Sequence, residues 1–441
     1  MKDIVHGYLP DERPPLGKLL LFALQQILVM FPATVLVALL TGFHVSTTIF
    51  ASGFATIIFI FITKGKIPLY YGSSFAYIAA IVGITGAKFG VPSSDALISQ
   101  AQFGIIMSGL VSILAGLIVS RFGLDKIEKV LPPSVTGSIA IVIGISLAAT
   151  AITNAASNGV PGGAALNVNW IAALVTLVAT IIFSVYLKGV WSQLPILLGI
   201  LVGYAVSFAL GMVDLSAVLS GAVLQAPHFT LPTVSWPAVI AIMPIAIATI
   251  PESTAHLFQL DIYVNDLAKK KNKPTVKIAE KLGLNLIGDG VGDIVSAMVG
   301  GPAGTNYGEN LSTMAITKNF SVWVLGVAAM ITMVIAFLSP VTNLVLSIPS
   351  SVINGACIYL FGIIGAQGVA IMINRNVDLF DSKNLAVIAS ILVIGLGGHY
   401  GYANNMIPIF GVQVPAIATA SLFGIILNLV LSFKKATVVI E

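Results

Sequence analysis

The sequence predicts an all-α protein that crosses a membrane fourteen times. Of its 441 residues, 57% are hydrophobic and only 9% are charged, and the mean hydropathy is +1.01. Because soluble domains carry about 25% charged residues, this chain could not solvate a water-exposed surface. A soluble enzyme, a disordered chain and a secreted disulfide-linked domain are excluded, the last because Cys357 is the single cysteine. The number of spans follows from the apolar runs, the distribution of charge and a repeat within the chain.

Apolar runs of about 20 residues, the length that crosses a bilayer, mark most of the spans. They lie near residues 18–40, 45–63, 101–119, 134–152, 170–187, 193–211, 237–258, 282–299, 322–339, 351–373, 384–398 and 413–432. Two shorter runs, near 68–84 and 303–317, are interrupted by glycine and polar residues. We count them as broken third and tenth spans, each a short extended segment followed by a half-helix.

The basic residues test this count. If successive connections alternate between the two sides of the membrane, every lysine and arginine except Lys88 lies on the side of the N-terminus. An excess of basic residues marks the cytoplasmic side, so both termini are predicted to be cytoplasmic. The run Lys269–Lys273 is then expected to be a solvated cytoplasmic loop, with contact to lipid headgroups as the alternative.

The two halves of the chain resemble each other. Tyr71-Gly72 and Tyr307-Gly308 stand in the third and tenth spans, and the segments 132–137 and 349–355 are similar in the fifth and twelfth. Copies seven spans apart must be inverted. Inverted repeats with interrupted segments are typical of secondary transporters, in which half-helix N-termini face the substrate. The alternative is that these glycines only permit close packing.

Few ionisable residues fall inside the predicted spans, and each is a functional candidate because burial of a charge in lipid is costly. Glu252 and His256 are four residues apart and share one helix face, where they could bind a polar solute or exchange protons. Their alternative role is a structural polar pair. Glu309 opens the tenth span, as a ligand or as a helix cap.

Asp289 and Asp293 are also four residues apart, and we expect them to hold the unwound backbone of a broken span rather than a ligand. Phe75, in the third span, could stack on a planar ring. His44, His228 and His399 lie at span ends and are expected to be interfacial residues.

No metalloprotease, Walker A or nucleophile-elbow motif is present in the sequence. We therefore expect a transporter that is not an enzyme and that has no cofactor, metal site or nucleic-acid partner. Transport would run on an ion gradient or on the substrate's own gradient.

Several of these residues stand in motifs that resemble the nucleobase–ascorbate transporters (the nucleobase:cation symporter-2 family), and within it the bacterial uracil permeases. The motifs are Lys64-Gly65-Lys66-Ile67-Pro68, Gly72-Ser73-Ser74-Phe75-Ala76, the Glu252/His256 pair, Tyr307-Gly308-Glu309-Asn310 and Met314-Ala315-Ile316-Thr317. The resemblance runs from Gln25 to the last span. It implies a 7+7 inverted repeat with a core domain (1–132 and 233–345) and a gate domain (133–232 and 346–441), and dimers are common in the family.

The resemblance also implies a function, the proton-coupled uptake of a nucleobase, uracil first, across the bacterial inner membrane by alternating access. Glu252 and Glu309 would accept hydrogen bonds from the ring N–H groups, and His256 would support the site and join both glutamates in proton coupling. Phe75 and the backbone near Gly308 would contact the base. Tyr307, Asp289 and Gln26 are structural candidates.

The chain departs from the family pattern at two positions. Ser312 stands where a glycine is usual, and Gln26 stands where uracil permeases have a histidine. A xanthine or other purine permease is therefore the first alternative, although Glu309 favours uracil because purine-transporting relatives tend to have glutamine there. An anion exchanger or channel of the same architecture is the second alternative.

Overall fold

A computed structural model describes residues 7–123, 129–157, 166–216, 218, 222–402 and 405–433. Most of this described part is helical. The helices are α1 (Leu16–Thr41), α2 (Val45–Ile62), α3 (Ile78–Thr85), α4 (Asp95–Phe122), α5 (Pro133–Ser146), α6 (Ala148–Ser157), α7 (Leu166–Tyr186), α8 (Pro195–Ala209), α9 (Trp236–Ile242), α10 (Ala246–Lys270), α11 (Leu282–Met298), α12 (Gly308–Thr317), α13 (Val322–Ile335), α14 (Ser339–Leu346), α15 (Ser350–Asn374), α16 (Ser382–Gly401) and α17 (Ala416–Phe433). The short strands are β1 (Tyr71–Ser73), β2 (Gly304–Asn306), β3 (Met406–Ile409) and β4 (Val412–Pro415).

The helices are long and apolar enough to make this a multi-pass membrane protein. Within the described residues, 8 helices have the length and hydropathy to cross a bilayer, with α5–α6 and α9–α10 each counted as one. Four shorter apolar helices accompany them, at Phe75–Thr85, Pro195–Ala209, Val322–Ile335 and Ala416–Ser432. Each predicted apolar run contains a helix.

Local sequence sets several helix ends. Pro133, Pro195 and Pro237 occupy the first turn of α5, α8 and α9, where a missing N–H costs nothing. Gly42 ends α1 with a left-handed φ of 75°, a conformation that other residues rarely adopt.

Glycine also permits close packing between helices. A Cβ atom at Gly290 of α11 would lie 2.3 Å from the carbonyl oxygen of Gly109 in α4, and one at Gly368 of α15 would lie 2.4 Å from that of Gly137 in α5. Small residues at such crossings bring backbones together in place of a hydrophobic driving force, which lipid does not supply. The substitution of either glycine would force these helices apart.

The structure differs from the sequence prediction in helix α10. We expected this span to end near residue 258, but the helix continues to Lys270, so the prediction that Lys269–Lys273 is loop throughout was wrong. Lys269 and Lys270 form the last helical turn, where basic side chains interact favourably with the helix dipole. The helix continues past the end of the apolar run because its backbone hydrogen bonds form equally well between polar residues.

A second difference is the antiparallel hairpin of β3 and β4, which occupies the predicted connection before the last span and the first residues of that span, so the all-α prediction was incomplete. Met406 pairs with Pro415, and Ile409 pairs with Val412. Phe410 and Gly411 between the strands have φ values of 49° and 82°, as in the two-residue turns that match strand twist.

An N-terminal segment ties two connections between helices together. The Tyr8 N–H donates to the Lys318 carbonyl at 2.8 Å, and the Tyr8 carbonyl accepts from the Phe320 N–H at 2.8 Å. Beside it, the Glu12 carboxylate accepts from Lys271 and Lys273, each at 2.6 Å. We call residues 7–12 the N-terminal strap, since it links the end of α10 to the segment between α12 and α13.

Candidate functional site

The two broken spans meet each other through a short antiparallel ladder. Strands β1 and β2 pair with Tyr71 opposite Asn306 and Ser73 opposite Gly304. Backbone bonds extend the ladder at both ends, from the Ser74 N–H to the Ala303 carbonyl and from the Tyr307 N–H to the Tyr70 carbonyl, both 2.9 Å. Irregular backbone inside a membrane is tolerated only where protein satisfies its polar groups, and this pairing does so.

A helix begins directly after each strand. A single 3-10 turn, Phe75–Tyr77, leads into α3, and Gly308 starts α12. The ladder is centred on Gly72 and Thr305, so a two-fold relation between the strands matches Phe75 with Gly308. The strand register therefore matches Tyr71 with Gly304. The repeated Tyr-Gly pair in the sequence instead suggests a match of Tyr71 with Tyr307, which is three residues further along the chain. Two helix N-termini flank the ladder, and at the first of them the Ala76 N–H donates to the Ser74 hydroxyl at 3.3 Å.

Each strand carries a glycine that lies against a tyrosine of the other broken span. A Cβ atom at Gly72 would lie 2.3 Å from the Tyr307 ring, and one at Gly304 would lie 2.3 Å from the Tyr71 ring. The Tyr307 hydroxyl also donates to the Ser73 carbonyl at 3.0 Å and contacts the Thr34 hydroxyl at 3.0 Å. Tyr307 is thus a buried part of the ladder, with 3% of its surface exposed.

Hydroxyl groups of α2 satisfy the outward-facing backbone of β1. The Tyr71 carbonyl accepts from Ser52 at 2.9 Å and from Thr56 at 3.0 Å, and the Tyr71 N–H donates to the Thr56 hydroxyl oxygen at 3.1 Å. Strand β1 is therefore fixed to α2 as well as to β2.

The two aspartates of α11 bind the broken segments. Asp293 accepts from the Tyr71 hydroxyl at 2.5 Å and from the Gly304 N–H at 2.8 Å, so one carboxylate holds both strands. Asp289 accepts from Asn306 at 2.8 Å and from the Ser253 hydroxyl. Both aspartates are buried, with 7% or less of their surface exposed. They contact the ladder from its α11 side.

Helices α10 and α12 bring the other predicted residues together. Glu252 and His256 lie on α10, and Gly308 and Glu309 form the first turn of α12. A Cβ atom at Gly308 would lie 2.8 Å from His256 Nε2, and the Glu252 and Glu309 carboxylates are near enough to interact electrostatically. His256 Nδ1 is buried without a hydrogen-bond partner in the described part of the chain. Four residues from two distant segments therefore form one polar cluster.

Exposure separates the predicted ligands from the predicted structural residues. Phe75, Glu252, His256 and Gly308 are half-buried, and Glu309 is exposed. Asp289, Tyr307 and Gln26 are buried. Phe75 packs edge-on against Phe361 of α15, with ring centroids 6.2 Å apart.

Gln26 fastens α12 to α1. Its side-chain oxygen accepts from the Asn310 amide at 2.7 Å, and its backbone carbonyl accepts from the same amide at 3.0 Å. Only 1% of Gln26 is exposed. It therefore holds in place the residue that follows Glu309.

Sequence reasoning missed the amides and hydroxyls that support the cluster. The Asn285 side chain donates to the Ser253 hydroxyl at 2.7 Å, and the Asn306 side chain donates to the side-chain amide oxygen of Asn285 at 3.3 Å. A signal was present, since Asn285, Asp289 and Asp293 recur every four residues on α11 and so share one face.

Comparison with known proteins gives the family. A sequence model described as a permease family matches residues 17–403. The chain belongs to this family, the nucleobase–ascorbate transporters. The resemblance seen in the motifs is confirmed, and the protein is a transporter rather than an enzyme.

Members of the family match over nearly the whole chain. The uracil permease of Bacillus caldolyticus is 39% identical over 96% of this chain and 94% of its own length. The uracil permease of Bacillus subtilis is 36% identical over 94% and 92%, and that of Escherichia coli K12 is 32% identical over 97% and 94%.

Solved structures of other transporters share the fold. The transmembrane domain of the cyanobacterial bicarbonate transporter BicA superposes with a TM-score of 0.59 at 14% identity, over 94% of this chain and 97% of that one. The structure of SLC26A9 gives 0.64 at 11% identity, over 95% and 64%. At these identities the likeness concerns the fold alone.

Proposed function

We propose that this transporter takes up uracil together with protons across the bacterial inner membrane. The observation that carries the proposal is the cluster of Glu252, His256, Gly308 and Glu309 beside the paired strands. Relatives named uracil permeases match over almost the full length, which supports uracil as the substrate.

The chemistry of the cluster suits a neutral pyrimidine. Uracil has ring N–H donors, for which Glu252 and Glu309 supply acceptor oxygens, and carbonyl groups, for which the free N–H groups at the start of α12 supply donors. Phe75 offers an aromatic face for the planar ring. His256 and the two glutamates are the groups in the cluster that can exchange protons, and we assign proton coupling to them. No cofactor takes part in this proposal, which uses the proton gradient as its driving force.

We further infer a fourteen-span 7+7 inverted repeat. Helix packing supports it, because contacts occur in matched pairs: α4 packs on α11 as α13 packs on α2, and α7 packs on α8 as α17 packs on α16. The ladder of β1 and β2 fits the same two-fold relation. In this proposal both termini are cytoplasmic, and the protein forms homodimers like other members of the family.

The proposed motion is that of a core domain against a gate domain. The core comprises 1–132 and 233–345, and the gate comprises 133–232 and 346–441. The cluster lies within the core, and Phe361 of the gate meets Phe75 at its edge. Movement at this contact would expose the site alternately to each side.

Uptake into proteoliposomes of purified protein tests the proposal. We expect an inward proton gradient to drive uracil accumulation, and unlabelled xanthine to leave it unchanged. Accumulation of xanthine with no uptake of uracil would overturn the substrate and favour a purine permease. Uracil uptake that ignores the proton gradient would overturn the coupling.

An anion exchanger is less well supported, although the structural neighbours include bicarbonate and anion transporters. Two carboxylates beside the helix N-termini oppose an anionic substrate. Bicarbonate or chloride flux through the same proteoliposomes would reverse this conclusion.

A further inference from the structure

Three residues far apart in the sequence converge on one face of the protein, away from the cluster around Glu252. The Asp95 carboxylate lies 3.4 Å from His44 Nε2 through one oxygen and 2.9 Å from His228 Nε2 through the other. The two imidazole rings are 4.3 Å apart between centroids. We call these three residues the histidine–aspartate cluster.

We propose that the histidine–aspartate cluster is a binding site for a late first-row divalent metal ion, with Zn²⁺ as the leading candidate. Two imidazoles and one carboxylate are a donor set that such ions favour, whereas Mg²⁺ and Ca²⁺ favour oxygen ligands alone. Three protein ligands leave a fourth coordination position for water.

The spacing of the donor atoms fits one tetrahedral ion. Zinc bonds of about 2.0–2.2 Å in tetrahedral geometry separate neighbouring donor atoms by about 3.3 Å. The two oxygens of Asp95 lie 3.4 Å from His44 Nε2 and 2.9 Å from His228 Nε2, so the carboxylate would turn to present one oxygen to an ion held by both imidazoles. One donor atom from each residue can be chosen so that all three lie within 4.8 Å of one another, so small side-chain rotations would complete the geometry.

The backbone around the cluster is fixed in advance. The Ser93 N–H donates to the Gly42 carbonyl at 2.8 Å, which joins the segments that carry Asp95 and His44. The Thr47 hydroxyl donates to the His228 carbonyl at 2.7 Å, which joins the third segment to α2. Preorganised ligands lose little conformational entropy on binding an ion.

The cluster is accessible and borders a cavity. The side chains of Asp95 and His228 are 56% and 53% exposed, and His44 is 21% exposed. A cavity of about 340 Å³ touches both imidazoles, and none of the described residues lining it is a lysine or arginine. In the proposed topology this face is outside the cell.

A bound ion would join three connections: the α1–α2 turn, the start of α4 and the segment that precedes α9. The last of these links the proposed gate domain to the core. The proposal therefore predicts that the ion stabilises the fold from the outer face, whether or not the substrate is uracil.

Zinc binding to detergent-purified full-length protein tests the site. After removal of metals with EDTA, we expect wild-type protein to bind one Zn²⁺ and to unfold at a higher temperature with it. His44→Ala, Asp95→Asn and His228→Ala should each weaken binding about 100-fold, because loss of an outer-shell partner alone costs about 10–100-fold. Asp214→Asn is the matched control, an exposed acid that caps Ser216 at 2.8 Å and should leave binding unchanged. Equal zinc affinity in all four variants would overturn the proposal.

A second measurement uses the unmodified protein and so does not depend on how the variants fold. We expect Zn²⁺ to protect His44 and His228 from diethylpyrocarbonate, read by mass spectrometry, and Mg²⁺ at the same concentration to give no protection. If both histidines react equally with and without Zn²⁺, the cluster is only a hydrogen-bonded group and the metal site is refuted.

Discussion

At the residue scale, the spacing of charged residues located Glu252 and His256, because few ionisable residues occur in the apolar runs and each stands out. The supporting residues Ser253, Asn285 and Asn306 escaped notice, since hydroxyls and amides are common in membrane helices. Of the three, Asn285 carried a signal, the four-residue spacing that it shares with Asp289 and Asp293. The histidine–aspartate cluster could not be seen in the sequence. His44 lies 51 residues from Asp95, and His228 lies 133 residues from it.

The role of Glu252 gives the first prediction. Glu252→Gln should weaken uracil binding about 10–100-fold, since it replaces one charged acceptor oxygen with a donor and such hydrogen bonds contribute about 1.5–3 kcal/mol. Calorimetric titration of purified protein measures the effect. Glu280→Gln is the matched control, because Glu280 is 65% exposed in an ion pair with Lys277. Wild-type affinity in Glu252→Gln would remove Glu252 from the site.

Gly308 gives the second prediction. Gly308→Ala would place a methyl group 2.8 Å from His256 Nε2, so the imidazole must turn away and uracil binding should fall about tenfold. Gly326→Ala is the control, because no heavy atom lies within 4 Å of its Cβ position in α13. That variant should bind uracil normally and be about 0.5–1 kcal/mol more stable. Equal affinities of the two variants for uracil would contradict the contact.

At the element scale, apolar length predicted the helices well, because the bilayer admits few structures other than helices. The broken spans were also visible, since glycine and polar residues interrupt their apolar runs. The strand register was not, because it depends on how Gly72 and Gly304 fit beneath tyrosines of the other half. The end of α10 was missed because hydropathy reports the edge of the apolar layer and not the end of the helix.

The anchoring of the two strands by α11 gives the third prediction. Asp293→Ala should destabilise the fold by about 3 kcal/mol, because the buried Tyr71 hydroxyl and Gly304 N–H both lose their acceptor. Thermal unfolding in detergent measures the loss.

Two further variants qualify that result. Asp293→Asn retains one acceptor oxygen and should recover part of the stability. Asp266→Ala removes an exposed partner of Lys270 and should cost under about 0.5 kcal/mol. An Asp293→Ala protein as stable as Asp266→Ala would show that the carboxylate does not hold the strands.

At the scale of the whole molecule, the N-terminal strap predicts a dependence of stability on pH. Burial disfavours the ionised Glu12 carboxylate, but hydrogen bonds from Lys271, Lys273 and the Leu9 N–H outweigh it and lower the pKa of Glu12 from 4.5 to about 2. A carboxyl group whose pKa is lower in the folded than in the unfolded state stabilises the fold at pH values above its unfolded pKa. This stabilisation is lost as the pH falls from about 4.5 to about 2. Solvent screening leaves a contribution of about 1–2 kcal/mol.

Comparison of wild type with Glu12→Gln measures this contribution. The wild-type protein should be more stable at pH 7, and the difference should shrink as the pH is lowered from 5 to 3. High salt should also reduce it, because the lysine partners are partly exposed. A difference that stays constant over this pH range would show that the ion pairs do not stabilise the strap.

The helical, multi-pass architecture was predictable from the apolar runs. Counting also predicts that the second of two seven-span copies is inverted, which is part of the proposal above. The correspondence between the copies was not predictable, because the repeated Tyr-Gly pair suggested a match that the strand register does not support.

The ladder between the two broken spans has a consequence for how the chain is made. The Tyr307 hydroxyl and the Ser73 carbonyl that it binds are 234 residues apart, so at synthesis rates of about 5–20 residues per second β1 waits roughly 10–50 s for its partner strand. Ser52 and Thr56 are already in the membrane by then, and they occupy the N–H and carbonyl groups of Tyr71 in the meantime. The hydroxyls of α2 thus satisfy only the outward-facing groups of Tyr71, so the Tyr70 carbonyl and the Ser74 N–H, which pair with the second broken span in the finished fold, lack those partners until that span is made.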